Sequence, residues 1–506
     1  MAPSNTVRWS PPLWGGISST PSVSPLATCR SHSTPSSAST LLASAFVPAT
    51  VSSSPNNAAK PSSDNSPLHA RKPHSAEWIN LLSPDTYSPS SSGSPPSLPG
   101  KIVPPRSGGV AFSMSNDGGG CNLFYFAGYA EIASGGASTP PERFVVNDLW
   151  QFAPYQDDSS PWGWREVKHP STQNFIPGPR LATALAVLPS KGKDTLAVLL
   201  GGWDPQIPGT GGVILEDVSV LNVETMEWSE PISMEEKGRE ATIPGGPTSR
   251  HVALPIRICD VEGAEKDLIL LHNHRCQNFV QLLSMDSSEN SENNLYAKWT
   301  LQSTKGECPS SRGLHCAAQI VSSTSNITKG VVIFGGAAKD GNMSNEVFFL
   351  DVHSWTWTKL DCAGKRDVDD SNNKNGEGIV RGMPSPRAGA CLCPLDEYSV
   401  LLFGGAEPSE EGLRGLNDLW VLQVDVENGK GRWECLIPSE TRNQSDSRPS
   451  GRNAATLTRI DPKGLLPKYL WEKALGDSFY ILQGGWYPFL HTYDDVFVLR
   501  VSSSSS

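Results

Sequence analysis

From residue 101 to the C-terminus, apolar and polar positions alternate at period two in short runs. The runs are broken by Pro, Gly, Ser and Asn. This is the pattern of half-buried antiparallel strands. The runs follow one order: a Pro-containing turn ending in Arg, a small or apolar run, then an apolar strand closing on Gly-Gly. A variable loop, a strand of the form Asn-Asp-Leu-Trp-Val-Leu and a short strand centred on Trp complete the unit. The turn arginines are Arg106, Arg180, Arg250, Arg312, Arg387 and Arg452, spaced from 62 residues (250 to 312) to 75 (312 to 387). The double glycine falls at Ala127-Gly128, Gly201-Gly202, Gly335-Gly336, Gly404-Gly405 and Gly484-Gly485, with His272-Asn273 in the third unit. The closing tryptophans are Trp164, Trp228, Trp299, Trp357 and Trp433. Self-similarity at this period predicts an all-β repeat architecture of six four-stranded units. A single blade cannot bury both faces, so its neighbours do so.

The sixth unit ends at Val501 with three strands and no closing tryptophan. Ala76-Glu77-Trp78-Ile79-Asn80-Leu81-Leu82, ahead of the first unit, has the form of the missing strand. The simplest account is a ring in which this N-terminal strand joins the last three and leaves no edge exposed.

Composition supports this class. Only 18% of the 506 residues are charged, Trp occurs 15 times, and Gly (46) and Pro (42) are frequent. The net charge of −11 argues against a nucleic-acid binder, because no basic patch offsets phosphate repulsion. No run of 18 apolar residues occurs, so no transmembrane segment is expected. Ten cysteines without a CxxC are too sparse for a disulfide scaffold. Cys391 and Cys393 read as buried thiols.

The order Pro-x-x-Arg, strand-Gly-Gly, loop, Asn-Asp-Val-like strand, Trp resembles the kelch repeat across about residues 74–501. Arg312-Gly313-Leu314-His315 fits its Arg-x-x-His opening best. The resemblance implies a six-bladed kelch-type β-propeller, its last blade closed by an N-terminal strand. It also implies a protein or peptide partner held on one face. Residues 502–506 form a serine tail. The third unit departs most, and the units are longer than the roughly 50 residues of a typical kelch unit. The excess lies in loops, which carry function on rigid scaffolds.

In an antiparallel blade, the loop entering strand one and the loop between strands two and three share a face. On this reading that face collects the six arginines with Tyr129, Trp203, Trp486, Tyr487 and Phe489, and its partner carries acidic groups. Arginine and exposed aromatics are the usual composition of binding hot spots. The competing reading makes each repeated arginine structural, bonded to carbonyls or acids of a neighbouring blade. His272 and His274 replace the third unit's glycine region and join the candidate contacts, near His251, Arg275 and His315. The expected function is a non-catalytic scaffold or adaptor built on a monomeric ring, with no cofactor and no metal. The alternative is a small-molecule enzyme or sensor, of lyase or isomerase type, using the central mouth. Catalytic motifs are absent; Glu346, Asp351 and His353 do not form the Glu-x-x-x-Asp-x-x-x-His run of iron-dependent specifier proteins, which the kelch resemblance brings to mind.

Residues 1–63 hold 17 Ser and 6 Thr and no Asp or Glu. Residues 1–73 read as a disordered segment, with no apolar periodicity for a BTB or F-box helix. The chain is then cytoplasmic. Alternatively residues 1–63 are a transit peptide for a plastid or other organelle, since Leu41 to Pro48 is similar to the ASAFAP motif of algal presequences. Residues 361–383 read as a solvated loop, and Leu466 to Leu475 as a short helix on the opposite face.

Overall fold

The computed structural model describes residues 74–81, 103–115, 121–132, 142–153, 163–169, 173, 175–188, 195–205, 211–236, 238–260, 262–287, 294–362, 382–410, 412–438, 448–474, 476–488 and 490–503. The segment 1–73 with its targeting reading, most of the loop 361–383, Leu475, Phe489 and the last three serines lie outside these residues.

Six blades follow the repeat, each built on four antiparallel strands; blades three and four add a short parallel outer strand, Ile232–Ser233 on Leu295–Ser303 and Lys305–Gly306 on Thr356–Lys359. Blade one is Val110–Ser115, Cys121–Ile132, Glu142–Ala153 and Gly163–Glu166. Blade two is Ala184–Leu188, Leu196–Asp204, Val213–Asn222 and Glu227–Ser229. Blade three is Val252–Cys259, Glu265–His272, Phe279–Ser287 and Leu295–Ser303. Blade four is Cys316–Val321, Thr328–Phe334, Val347–Asp351 and Thr356–Lys359. Blade five is Cys391–Pro394, Ser399–Phe403, Leu419–Asp425 and Lys430–Ile437. Blade six is Thr456–Ile460, Ser478–Gln483 and Val496–Ser503, closed by His74–Asn80. That closing strand pairs antiparallel with Val496–Ser503, Trp78 opposite Leu499. The chain is therefore an all-β, six-bladed propeller whose first strand completes its last blade.

The core lies between blades. One apolar cluster fills each of the six junctions around the ring. Each closing tryptophan packs on the preceding blade: Trp164 on blade six, Trp228 on blade one, Trp357 on blade three and Trp433 on blade four. Trp78 supplies the missing sixth member, its ring 5.0 Å from that of Phe403 in blade five. Trp299 of blade three is only half-buried. Truncating a core Trp costs about 3–5 kcal/mol. Trp78→Ala is expected to lose that much in urea unfolding, whereas Tyr469→Ala, at a residue 48% exposed, should change stability by about 0.5 kcal/mol or less.

The predicted helix at Leu466 is corrected. The regular part is one 3₁₀ turn, Lys468–Leu470, after Pro467. The Trp471 indole donates back to the Leu466 carbonyl at 3.2 Å, folding the segment onto the blade. Leu465, Leu466 and Ala474 are buried in the junction of blades six and one. Among the described residues, no helix is long and apolar enough to cross a membrane. Cys393 is buried, Cys391 is half-buried and both are free.

Candidate functional site

The expectation that six turn arginines line the mouth is corrected for five of them. Arg106, Arg180, Arg312, Arg387 and Arg452 are buried, each at most 3% exposed. Each donates its Nε to the carbonyl two residues upstream. Each also donates to the carbonyl of the first residue in its blade's double-glycine pair. Each further pairs with a carboxylate in or just ahead of the third strand of its own blade: Asp148, Asp217, Glu346, Asp418 or Asp495. Arg387 is bidentate to Asp418 at 2.7 and 2.8 Å. The Trp420 indole donates to the same carboxylate at 2.7 Å, and Trp150 repeats this on Asp148. Burial alone would raise Glu346, but hydrogen bonds from Lys359 and Arg312 outweigh it and hold the carboxyl at about 2. These arginines clamp the entry turn to the strand ends and so fix the loops of that face. The double glycine admits the neighbouring turn: a Cβ on Gly484 (φ +63°) would sit 2.5 Å from the Arg106 carbonyl oxygen.

Blade three lacks the clamp, and Arg250 is not its turn arginine. The carbonyls that accept from the second glycine belong to Arg180, Arg387, Arg452 and Arg106 elsewhere, but to Thr248 in blade three. Phe279 aligns with the missing acid: Val252 pairs with His272 as Cys391 pairs with Phe403, so Asn273-His274 stand where Gly404-Gly405 stand, and Val280 takes the place of Leu419. Both charges are gone together, which avoids a buried charge without its partner. Arg250 sits two residues further on.

That position is special. Gly108, Ala182, Arg250, Leu314, Gly389 and Ala454 each donate a backbone N–H to the carbonyl of the preceding member, and Gly108 donates to Ala454. The hydrogen bonds close a circle through all six blades. All six residues have positive φ, from 52° to 68°. At the ~4.8 Å spacing of hydrogen-bonded chains, opposite backbones lie about 10 Å apart. The circle frames the central opening on the loop face. Arg250 is its one charged member, half-buried and over the Trp203 indole at 5.7 Å.

The aromatics form an arc. The residue after the double-glycine pair is Tyr129, Trp203, Ala337, Ala406 and Trp486 in blades one, two, four, five and six, and the strand register of blade three puts Arg275 there. Tyr129, Trp203 and Trp486 pair across to the entry turns at Ser107, Leu181 and Asn453. Bulky rings thus stand on three contiguous blades, six, one and two, and alanine stands on blades four and five. Beyond them, raised hairpins include Trp486–Tyr487 against His491–Thr492. The Tyr487 ring stacks on His491 at 6.3 Å. Thr492 donates to Glu131, which also accepts from Arg143, so the hairpins of blades six and one are joined.

Residues 285–505 match the family model described as the KLHDC2/KLHL20/DRC7 Kelch-repeats domain. Over those residues, which make blades four to six and the end of blade three, the propeller is similar to kelch repeats. "Host cell factor" of Drosophila melanogaster is 26% identical over 205 residues, covering 37% of this chain and 12% of that protein. The chain thus aligns with about an eighth of that relative's length. The solved structure of YjhT is 15% identical with a TM-score of 0.42, over 79% of this chain and 96% of its own.

Within the ring, His272 and His274 separate. His274 is exposed in the turn after strand two, and burial with the nearby Arg275 lowers its pKa. His272 is 1% exposed and bonds His315 ring to ring, Nδ1 to Nε2 at 3.0 Å. His251, His272 and His315 each keep at least one buried ring nitrogen without a partner. Burial lowers His251 to about 4 and His272 to about 3, and holds His315 well below the usual range. These three rings are held neutral. Among the described residues, no group of three or more His, Cys, Asp or Glu is placed to hold a metal. Glu346 belongs to the blade-four clamp, and Asp351 caps the turn at His353 and Ser354. The sequence reading missed the backbone circle altogether. Its one legible trace was the histidine: Thr248-Ser249-Arg250-His251 aligns with Arg312-Gly313-Leu314-His315.

Proposed function

We propose that this propeller is a non-catalytic binding module that holds a protein or peptide on its loop face, across the arc of Trp486, Tyr129 and Trp203. The observation that carries the reading is the asymmetry of that arc: bulky rings at equivalent positions on three adjacent blades, alanine on blades four and five. Structural packing alone would favour a similar residue on every blade. Exposed apolar side chains extend the same face: Ile176 (39%), Val213 (42%) and Leu490 (64%). The clamp arginines act beneath this surface as struts, giving the loops a fixed shape and limiting the entropy lost on binding. Tyr487 contributes from the blade-six hairpin, and His274 stands exposed in the turn after strand two of blade three.

Affinity capture from native lysate with the full chain tests this. Hot-spot aromatics contribute about 2 kcal/mol or more, roughly thirtyfold in affinity. A partner captured by wild type is expected to be lost with Trp203→Ala/Trp486→Ala and kept with Tyr469→Ala on the opposite face. Identical partners from all three proteins would overturn the reading.

A further inference from the structure

We propose that the segment held by the loop face is basic, its Lys or Arg side chains meeting two carboxylates, Asp494 on blade six and Glu216 on blade two. The inference rests on the peptide-binding reading above and names the chemistry of the partner.

One repeat position carries it. The residue just before the clamp acid, or before Phe279 in blade three, is Asn147, Asn278, Asn345 and Asn417 in blades one, three, four and five. Three of these donate their side-chain amide to a proline carbonyl in the entry turn of the next blade: Asn147 to Pro177, Asn345 to Pro384 and Asn417 to Pro449. Blades two and six carry Glu216 and Asp494 instead. The turns that they face have Gly245 and Val103 in place of proline. An ionised carboxylate only accepts hydrogen bonds, so it cannot make this latch. Both acids are exposed where the latched asparagines are half-buried. Neither carboxylate forms a hydrogen bond or ion pair among the described residues.

The two acids stand beside the rings of the arc in the same register. Trp203 pairs with Ile214, and Glu216 is two residues on. Trp486 pairs with Thr492, and Asp494 is two residues on. Blades four and five combine alanine with asparagine at these two positions, Ala337 with Asn345 and Ala406 with Asn417. Blades two and six thus change both positions together, from small and neutral to aromatic and acidic. An aromatic face attracts a cation, and a carboxylate pairs with it, so the two side by side fit an ammonium or a guanidinium. The net charge of −11 favours the same encounter.

The cations on these blades are engaged. Arg180 and Arg452 are buried on Asp217 and Asp495, and Arg143 is held by Glu131. Arg275 donates to the carbonyls of Gly246 and Pro247 and makes no ion pair with Glu216. Arg250 lies over the Trp203 indole, a cation already seated on one ring of the arc. An acidic partner follows from six arginines in the mouth; with five enclosed, the unpaired acids on blades two and six call for a cation.

The test selects a synthetic random decapeptide library on the immobilised full chain, read by mass spectrometry. Wild type is expected to enrich peptides bearing Lys or Arg. Glu216→Asn/Asp494→Asn, which installs the residue of the other four blades and should melt no lower than wild type, is expected to reduce that enrichment at least tenfold. Glu216→Lys/Asp494→Lys should shift the selection to peptides bearing Asp or Glu. Basic peptides enriched equally by wild type and by Glu216→Asn/Asp494→Asn would overturn the proposal and assign the attraction to net charge. Peptides with no excess of Lys or Arg, selected by wild type and lost with Trp203→Ala/Trp486→Ala, would also overturn it, while the binding face stands. If wild type enriches nothing, both fall.

Discussion

Arg387→Ala is expected to lower the unfolding free energy by about 3–5 kcal/mol, because it strands a buried carboxylate. In the pair side chains, Arg387 is 1% exposed and Asp418 is 7% exposed, the most enclosed of the five clamps. Asp418→Val should cost a similar amount by stranding the guanidinium. The double variant Arg387→Thr/Asp418→Val removes both charges, as blade three does at Thr248 and Phe279, and should recover at least half of the summed losses. Recovery stays incomplete, because the Gly404 and Ser385 carbonyls lose their donor, at about 1–3 kcal/mol for a buried unsatisfied group. Urea midpoints at constant m-value give the cycle directly. Losses that simply add would mean that the charges do not interact, and that blade three's neutral pair is no guide to the others.

Acidification is expected to destabilise the ring strongly between pH 7 and 5. His251 and His272 have folded-state values of about 4 and about 3, against about 6.5 unfolded. The unfolded chain therefore takes up protons first as the pH falls. Stability is complete above pH 6.5 or so and declines below it, until the folded pKa is passed. At pH 5 the loss is about 2 kcal/mol for each of these histidines, and His315 adds in the same direction. A domain's whole stability is about 5–15 kcal/mol. Glu346 also favours the folded state, but its share fades only below the ordinary glutamate value of 4.5. The window above pH 5 thus belongs to the histidines. Unfolding at pH 7 and 5 should show the loss, and His251→Gln and His272→Gln should each shallow the slope. A flat profile, or an unchanged slope in both variants, would contradict the buried neutral trio.

The blades and their closure were legible because both rest on side-chain pattern. Period-two alternation marks the strands, the tryptophans mark the junctions, and Trp78 stood out as the sixth of its kind. The clamps were half legible. Their arginines and acids are plain in the chain, but only geometry joins Arg106 to Asp148 and turns the pair inward. Blade three misled the reading because Arg250 follows Pro247 at the distance of the other turn arginines. The histidine three residues after each opening, His251 and His315, fixes the true register and places Thr248 in the turn. The circle of backbone bonds had no side-chain signature beyond small residues at Gly108, Ala182, Gly389 and Ala454. Backbone hydrogen bonds of this kind do not depend on residue type.

The binding face is tested most directly by site-specific photo-crosslinking in native lysate, with p-benzoylphenylalanine placed singly at positions 203, 486 and 469 of the full chain. Positions 203 and 486 are expected to crosslink to the same partner, with nothing above background from position 469 on the opposite face. A partner crosslinked from 469 alone, or from none of the three, would contradict the account.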